Sequence, residues 1–253
     1  MKNELEHIVN KFFSSSNNQI LHANLDSKAG EFCKTFDDLL RIMVAYDHPD
    51  FYAKKNNDVY IFEHFTIDAS HTNKKGSLEQ REIVRIETRT NEYYSGDHKG
   101  HISDKIENKS SFENFKNNLK TTYQKHISSI PSYMETLREI KVIDEDAKIT
   151  SCFFIENTSP IGNYVRTGIK IKEFNLFTAD FFIDILDDTK NNPDYIFYAQ
   201  ESKFAPILLL MSTKSLNAYK QHSEKITKES FIAFSPYTMT KRFFIERGDE
   251  STS

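Results

Sequence analysis

Two acidic residues in the first third of the chain have the types and spacing of a metal-binding pair. Asp50 follows Pro49 at the start of an extended run, and Glu63 lies inside a second run, residues 59–67, that is rich in β-branched and aromatic residues. The residues between the runs, Asn-Asn-Asp at 56–58, are typical of a hairpin turn because they tolerate positive φ. The pattern therefore predicts a hairpin whose two strands bring both carboxylates together.

Such a carboxylate pair could bind Mg²⁺ or Mn²⁺, since these hard ions prefer oxygen ligands. A bound metal lowers the pKa of its water and neutralises charge that builds on a phosphate. Glu63 is the more informative residue, because its neighbours Ile61, Phe62 and Phe65 are apolar. An ionised carboxylate beside a core is costly unless it is paired or bound to a cation. The alternative is structural: Pro49-Asp50 is a turn, and Glu63 pairs with an arginine such as Arg85.

Pro49-Asp50, a short gap and an apolar strand carrying Glu63 resemble the PD-(D/E)xK nuclease superfamily, in a divergent bacterial form. The resemblance implies a restriction-endonuclease-like core, metal ligation by Asp50 and Glu63, and hydrolysis of nucleic-acid phosphodiester bonds with Mg²⁺ or Mn²⁺. The family has a lysine two residues after the glutamate, where this chain has Phe65. Lys74 or Lys75 is the expected substitute for that lysine. His64 is a poorer one, because the residue next to Glu63 points to the opposite face of a strand.

Glu156 is a candidate for a third metal ligand. It closes a predicted buried strand, residues 149–155, and binding sites of α/β sheets often gather at strand ends. Alternatively, Glu156 is a turn residue that is hydrogen-bonded to Thr158 or Ser159.

A weakly basic segment covers residues 74–126. It holds eleven Lys and Arg against eight Asp and Glu, a local charge of +3 in a chain whose net charge is −4, which leaves −7 for the rest. This contrast could guide a polyanion to one face of the protein. Arg85 and Arg89 lie on one side of either a helix or a strand and are candidate nucleic-acid contacts, and Tyr93, Tyr94 and Tyr123 could stack on bases. The alternative is an ordinary solvated surface.

Other chemistries and locations are disfavoured. The chain has no GxGxxG, Walker A, GxSxG or HExxH motif. Its two cysteines, Cys33 and Cys152, form no CxxC motif and fit a reducing compartment. No apolar run approaches the roughly 20 residues that cross a bilayer, and the first residues lack an apolar signal core. We therefore expect a cytoplasmic protein without a membrane partner.

The elements predicted around these residues indicate one α/β domain over residues 1–253, with residues 78–140 as a helical insertion. A helix capped by Asp26 or Ser27 precedes the hairpin. Residues 78–94 fit a helix or a strand, and we favour the helix. A helix over 111–128 and a second one starting at Pro131 follow, and Thr178 is expected to cap a later helix. Together with the strands near 149–155, 194–199 and 206–211, these elements predict a mixed central sheet flanked by helices.

The predicted fold is compatible with two functions. The first is a metal-dependent nuclease. The second is a non-catalytic module that binds nucleic acid or a protein on a degenerate nuclease fold. An open cleft with the Asp50 and Glu63 carboxylates close together favours the enzyme, and a buried, metal-free Glu63 salt-bridged to Arg85 favours the binding module.

Overall fold

A computed structural model describes residues 8, 13, 20–70, 72–73, 76–95, 111–159, 164–167, 170–200 and 207–230. These residues form eleven strands and five helices. The strands are β1 (Ile20–His22), β2 (Val44–Ala45), β3 (Phe51–Lys55), β4 (Asp58–Ile67), β5 (Thr72–Asn73), β6 (Gly76–Ser77), β7 (Lys148–Asn157), β8 (Tyr164–Thr167), β9 (Lys170–Glu173), β10 (Tyr195–Gln200) and β11 (Ile207–Ser212).

The helices lie mostly in the connections between these strands. They are α1 (Ser27–Ile42), α2 (Leu78–Ser95), α3 (Phe112–Glu139), α4 (Asp180–Asp188) and α5 (Leu216–Gln221), with single 3₁₀ turns at Leu176–Thr178 and Thr213–Ser215. Among the described residues, every helix is too short or too polar to cross a membrane.

Seven strands form the central sheet in the order β1-β11-β10-β7-β4-β3-β2. Strands β2, β3 and β4 form an antiparallel meander, and β4, β7 and β10 run parallel to one another. A parallel pair needs a crossover connection, and α3 lies in the connection between β4 and β7. The expected α/β class with a mixed central sheet flanked by helices is confirmed.

Helix α1 covers one face of the sheet. Its buried residues Phe32 and Phe36 belong to a cluster with Phe62 of β4, Phe154 of β7 and Phe197 of β10. These three sheet residues lie in register on neighbouring strands or two residues apart, so their side chains share one face.

Helices α3, α4 and α5 cover the other face. Leu119 and Tyr123 of α3 pack with Phe65, Phe153 and other residues of the sheet in a large apolar cluster. Nearer its end, α3 packs against the start of β4 in a smaller cluster that includes Tyr133 and Leu137. Consecutive residues of β4 therefore face either α1 or α3.

Several local predictions are confirmed. Asp26 caps α1 by accepting a hydrogen bond from the Ala29 amide, and Ser111 caps α3 through the Asn114 amide. Asn56 has a φ of 56° in the two-residue turn between β3 and β4. Residues 78–95 are helical, as favoured.

Two predicted helix boundaries were wrong. Helix α3 continues through Pro131, because its buried residues on both sides of the proline pack on the sheet and outweigh one missing amide donor. Thr178 ends a 3₁₀ turn instead of capping a helix, and Ala179 precedes α4 without a side-chain hydrogen bond. The sequence also predicts a last short strand over residues 230–234, which lies outside the described residues except for its first residue.

Candidate functional site

Glu63 lies in the middle of β4, on the face covered by α3, and only 4% of its surface is exposed. Its Oε1 atom accepts a hydrogen bond from the Tyr133 hydroxyl at 2.7 Å and lies 2.7 Å from Nδ1 of His126. Both partners come from α3. Glu63 is therefore paired with a histidine and a tyrosine, and not with Arg85, which was the partner named in the structural alternative.

The two carboxylate oxygens of Glu63 differ in their hydrogen bonds. Oε2 is buried and has no hydrogen-bond partner among the described residues. A buried polar atom without a partner is costly, and in native proteins it usually indicates an unplaced water, an ion or a functional role. This atom is the feature of the site that most needs a ligand.

Asp50 lies where the β3–β4 ladder places it opposite Glu63. Phe51 pairs with Phe62 in antiparallel register, so Asp50 is one step beyond, level with Glu63. The Oδ2 atom of Asp50 accepts a hydrogen bond from the backbone amide of His64 at 2.8 Å. Asp50 is only partly buried. The hairpin register thus places Asp50 level with Glu63 on the neighbouring strand.

Tyr133 responds to both carboxylates. Burial is the main cause that raises the pKa of Tyr133 above its ordinary value, and the hydrogen bond to Glu63 and its charge act in the same direction. The charge of Asp50 raises that pKa further, which means that it acts on the phenol bound to Glu63. The exposed ring of His48 stacks on Tyr133, with centroids 6.1 Å apart and planes 8° apart. The polar cluster therefore extends from the surface at His48 to the buried carboxylate.

Glu156 lies on the opposite face of the sheet. It belongs to β7, not to a turn, and its register partner Thr66 has the same parity as His64. Its Oε2 atom is 3.1 Å from Nε2 of His64, and 5% and 6% of the two side chains are exposed. The structure does not bring Glu156 to Asp50 and Glu63, so the three do not form one ligand set. His64 likewise faces away from Glu63.

Phe65 occupies the position where the resemblance expects a lysine. Phe65, two residues after Glu63, is stacked with the ring of His126, with centroids 4.5 Å apart and planes 8° apart. His126 therefore occupies the space beside Glu63 on the same face of the strand. Lys74 and Lys75, the predicted substitutes, lie outside the described residues.

The residues predicted to contact nucleic acid differ in exposure. Arg85 and Arg89 are exposed on α2. Tyr123 is fully buried and donates a hydrogen bond to Asn192 Oδ1 at 2.7 Å, so it cannot stack on a base. The side chains of Tyr93 and Tyr94 lie outside the described part of the chain.

Sequence reasoning missed His126 and Tyr133. They are two helical turns apart and so lie on one face of α3, the face that also carries the buried Leu119 and Leu137. Two polar aromatic residues on an otherwise apolar helix face are a detectable signal, because each needs a polar partner when buried. The predicted break at Pro131 separated them and removed that signal.

Comparisons with protein-family models, with curated proteins and with solved structures found no match to this chain. Among the described residues, no three His, Cys, Asp or Glu side chains are arranged to hold a metal ion. A Mg²⁺ site does not require three, because this ion usually keeps several waters and uses one or two carboxylates with substrate phosphates. The Glu63 oxygen that has no partner among the described residues, and Asp50, which is level with Glu63 on the neighbouring strand, fit that requirement.

Proposed function

We propose that the protein is a metal-dependent nuclease of the PD-(D/E)xK type, which hydrolyses nucleic-acid phosphodiester bonds with Mg²⁺ or Mn²⁺ held by Asp50 and Glu63. The observation that carries the proposal is the burial and the uneven hydrogen bonding of the Glu63 carboxylate. A buried carboxylate with one oxygen bound twice and the other without a described partner is what a cation ligand requires before the cation binds.

The order of the elements supports a restriction-endonuclease-like core. Helix α1 is followed by the meander of β2, β3 and β4, by the crossover helix α3 and by the parallel strand β7. Asp50 precedes the second strand of the meander and Glu63 lies on the third, which is where the resemblance expects the acidic pair. Helix α3, which belongs to the stretch predicted as a helical insertion, lies in the connection between β4 and β7 and provides both partners of Glu63.

Each of these residues would have its own role in the reaction. Asp50 and Glu63 hold the cation, which when bound lowers the pKa of a water and neutralises negative charge on the phosphate. His126 and Tyr133 fix the Glu63 carboxylate. Arg85 and Arg89 on α2 attract the phosphate backbone. Lys74 or Lys75 is the proposed cation near the attacked phosphate, in the role that the family gives to its lysine.

The experiment is a cleavage assay with the full chain, single- and double-stranded DNA or RNA, and Mn²⁺, Mg²⁺ or EDTA. We expect cutting with Mn²⁺, none with EDTA, and loss of cutting in Asp50→Asn and Glu63→Gln. Glu156→Gln is the matched control, since Glu156 is an equally buried glutamate on the neighbouring strand but lies on the other face. Undiminished cutting by both site variants would remove Asp50 and Glu63 from the mechanism.

Metal binding can be measured without a substrate. A ligand that binds only the folded state stabilises it by RT ln(1 + [L]/Kd), about 2.7 kcal/mol at a hundredfold excess over Kd. Thermal unfolding of the wild type should therefore move upward with Mn²⁺, while Glu63→Gln should not respond. Absence of any shift in the wild type at millimolar Mn²⁺ would contradict the proposal.

A second function, a non-catalytic module that binds nucleic acid or a protein on a degenerate nuclease fold, is favoured by a different observation. Each predicted acidic residue already has a partner within the chain: Asp50 the His64 amide, Glu63 the pair on α3, and Glu156 the His64 ring. Nucleic-acid binding that is independent of Mn²⁺ and unaffected by Glu63→Gln would select this function.

A further inference from the structure

We infer that His126 and Tyr133 are positioning residues that fix Glu63 as a one-oxygen metal ligand, with Oε2 as the atom that binds the cation. The inference rests on the proposed metal site and deepens it. It assigns a role to His126 and Tyr133 of α3, which are not part of the PD-(D/E)xK motif.

The distribution of hydrogen bonds on Glu63 carries the inference. Tyr133 and His126 both bind Oε1, each at 2.7 Å, and two contacts occupy the two lone pairs of that oxygen. Oε2 is buried beside it without a described partner. If the two α3 residues served only to neutralise a buried carboxylate, sharing them between the oxygens would leave no buried atom unpaired. The observed arrangement instead keeps one oxygen available.

Packing holds both donors in place. The imidazole of His126 lies flat against Phe65 and edge-on to Phe153, with centroids 6.4 Å apart in the second contact. Tyr133 is 7% exposed and is covered by the ring of His48. Because ring packing fixes both donors, the plane of the Glu63 carboxylate is fixed as well. Outer partners of this kind orient ligating carboxylates, and their loss typically weakens metal binding 10- to 100-fold.

The test is the Kd of Mn²⁺ for the full chain, measured by isothermal titration calorimetry. We expect Tyr133→Phe and His126→Ala each to raise the Kd about 10- to 100-fold. His126→Asn keeps an amide donor near the position of Nδ1, so it should stay within about threefold of the wild type. Rescue by the asparagine separates positioning of Glu63 from the loss of an aromatic ring. Tyr52→Phe is the matched control, since Tyr52 packs in the same cluster as Tyr133 and its hydroxyl has no hydrogen-bond partner among the described residues.

The failure of this inference is distinct from the failure of the proposed function. If the wild type binds no Mn²⁺, or binds it equally after Glu63→Gln, the metal site itself is refuted. If Glu63→Gln abolishes binding while Tyr133→Phe and His126→Ala bind as the wild type does, the site stands and the positioning role is refuted. Tyr133→Phe keeps the ring, so it carries the test even where His126→Ala does not fold.

Discussion

Replacing Tyr133 with phenylalanine removes the hydroxyl that donates a hydrogen bond to the buried Glu63 carboxylate and that also contacts the Ser129 side chain. The ring that His48 covers is retained, and only the hydroxyl, 2.7 Å from Glu63 Oε1, is lost. Hydrogen bonds to charged groups contribute about 1.5–3 kcal/mol to stability. Because His126 still binds Oε1 in the variant, the carboxylate keeps one partner. We therefore expect Tyr133→Phe to lower the free energy of unfolding by about 2 kcal/mol.

The assay is equilibrium unfolding in urea, with thermal unfolding as a second measure, both without metal. For a domain of this size, 1 kcal/mol corresponds to about 2–4 °C in Tm, so the expected decrease in Tm is about 4–8 °C. Tyr52→Phe, the control already described, should stay within about 0.5 kcal/mol of the wild type.

A double-mutant cycle with Glu63→Gln tests the cause of this loss. If the Tyr133 hydroxyl stabilises the fold through Glu63, the two effects are not additive, and residues in one hydrogen-bond network typically couple by about 0.5–3 kcal/mol. We expect a coupling of about 1 kcal/mol or more, since the amide of glutamine is a weaker acceptor than the carboxylate. A Tyr133→Phe variant as stable as the wild type, or additive effects in the cycle, would refute the assignment of this hydrogen bond and with it the positioning role.

Three further predictions concern other parts of the molecule. Asp26→Ala should lower the free energy of unfolding in urea by at least about 3 kcal/mol, because the fully buried carboxylate accepts hydrogen bonds from two backbone amides and two hydroxyls. Asp26→Asn should lower it by less. Equal stability of Asp26→Ala and the wild type would contradict this prediction. The free energy of unfolding should fall as the pH rises above about 10, since the buried phenols keep their protons while the phenols of the unfolded chain release theirs. Ultraviolet titration should show the buried tyrosines ionising only when the protein unfolds. The tyrosines whose pKa is raised by burial are Tyr60, Tyr123, Tyr133, Tyr195, Tyr198 and Tyr219. Charge reversal at Arg85 and Arg89 should weaken nucleic-acid binding and flatten its salt dependence by about 0.9 in log–log slope per lost phosphate contact, and unchanged binding at low and high salt would return α2 to ordinary surface.

The local pattern of the sequence was sufficient to predict the hairpin. Turn residues at 56–58, β-branched and aromatic strands, and an N-cap at Asp26 are each determined by neighbours in sequence, and the structure has all of them. The pairing of Asp50 with Glu63 follows from the same short-range information, because a two-residue turn fixes the register of both strands.

The partners of those residues depend on contacts that are distant in sequence. Glu63 and His126 are brought together by the crossover of α3, and the position of α3 depends on a helix that continues past a proline. The position of Glu156 depends on the parallel register of β4 and β7, which sets its face through Thr66. Neither relation is visible in a local pattern. The structural alternative therefore named an arginine such as Arg85 as the partner of Glu63, and Glu156 was a candidate third ligand although it lies on the other face.

Two consecutive residues of β4 show why the face matters for chemistry. Glu63 and His64 point in opposite directions, and each completes a carboxylate–imidazole pair, Glu63 with His126 and His64 with Glu156. In the second pair, about 95% of both side chains is buried against the α1 side of the sheet. The first pair accepts a hydrogen bond from Tyr133, which stacks on the exposed ring of His48, and it retains one carboxylate oxygen without a described partner. Since a cation must both reach its ligands and find an unfilled lone pair, the α3 side of the sheet is where metal chemistry should be tested.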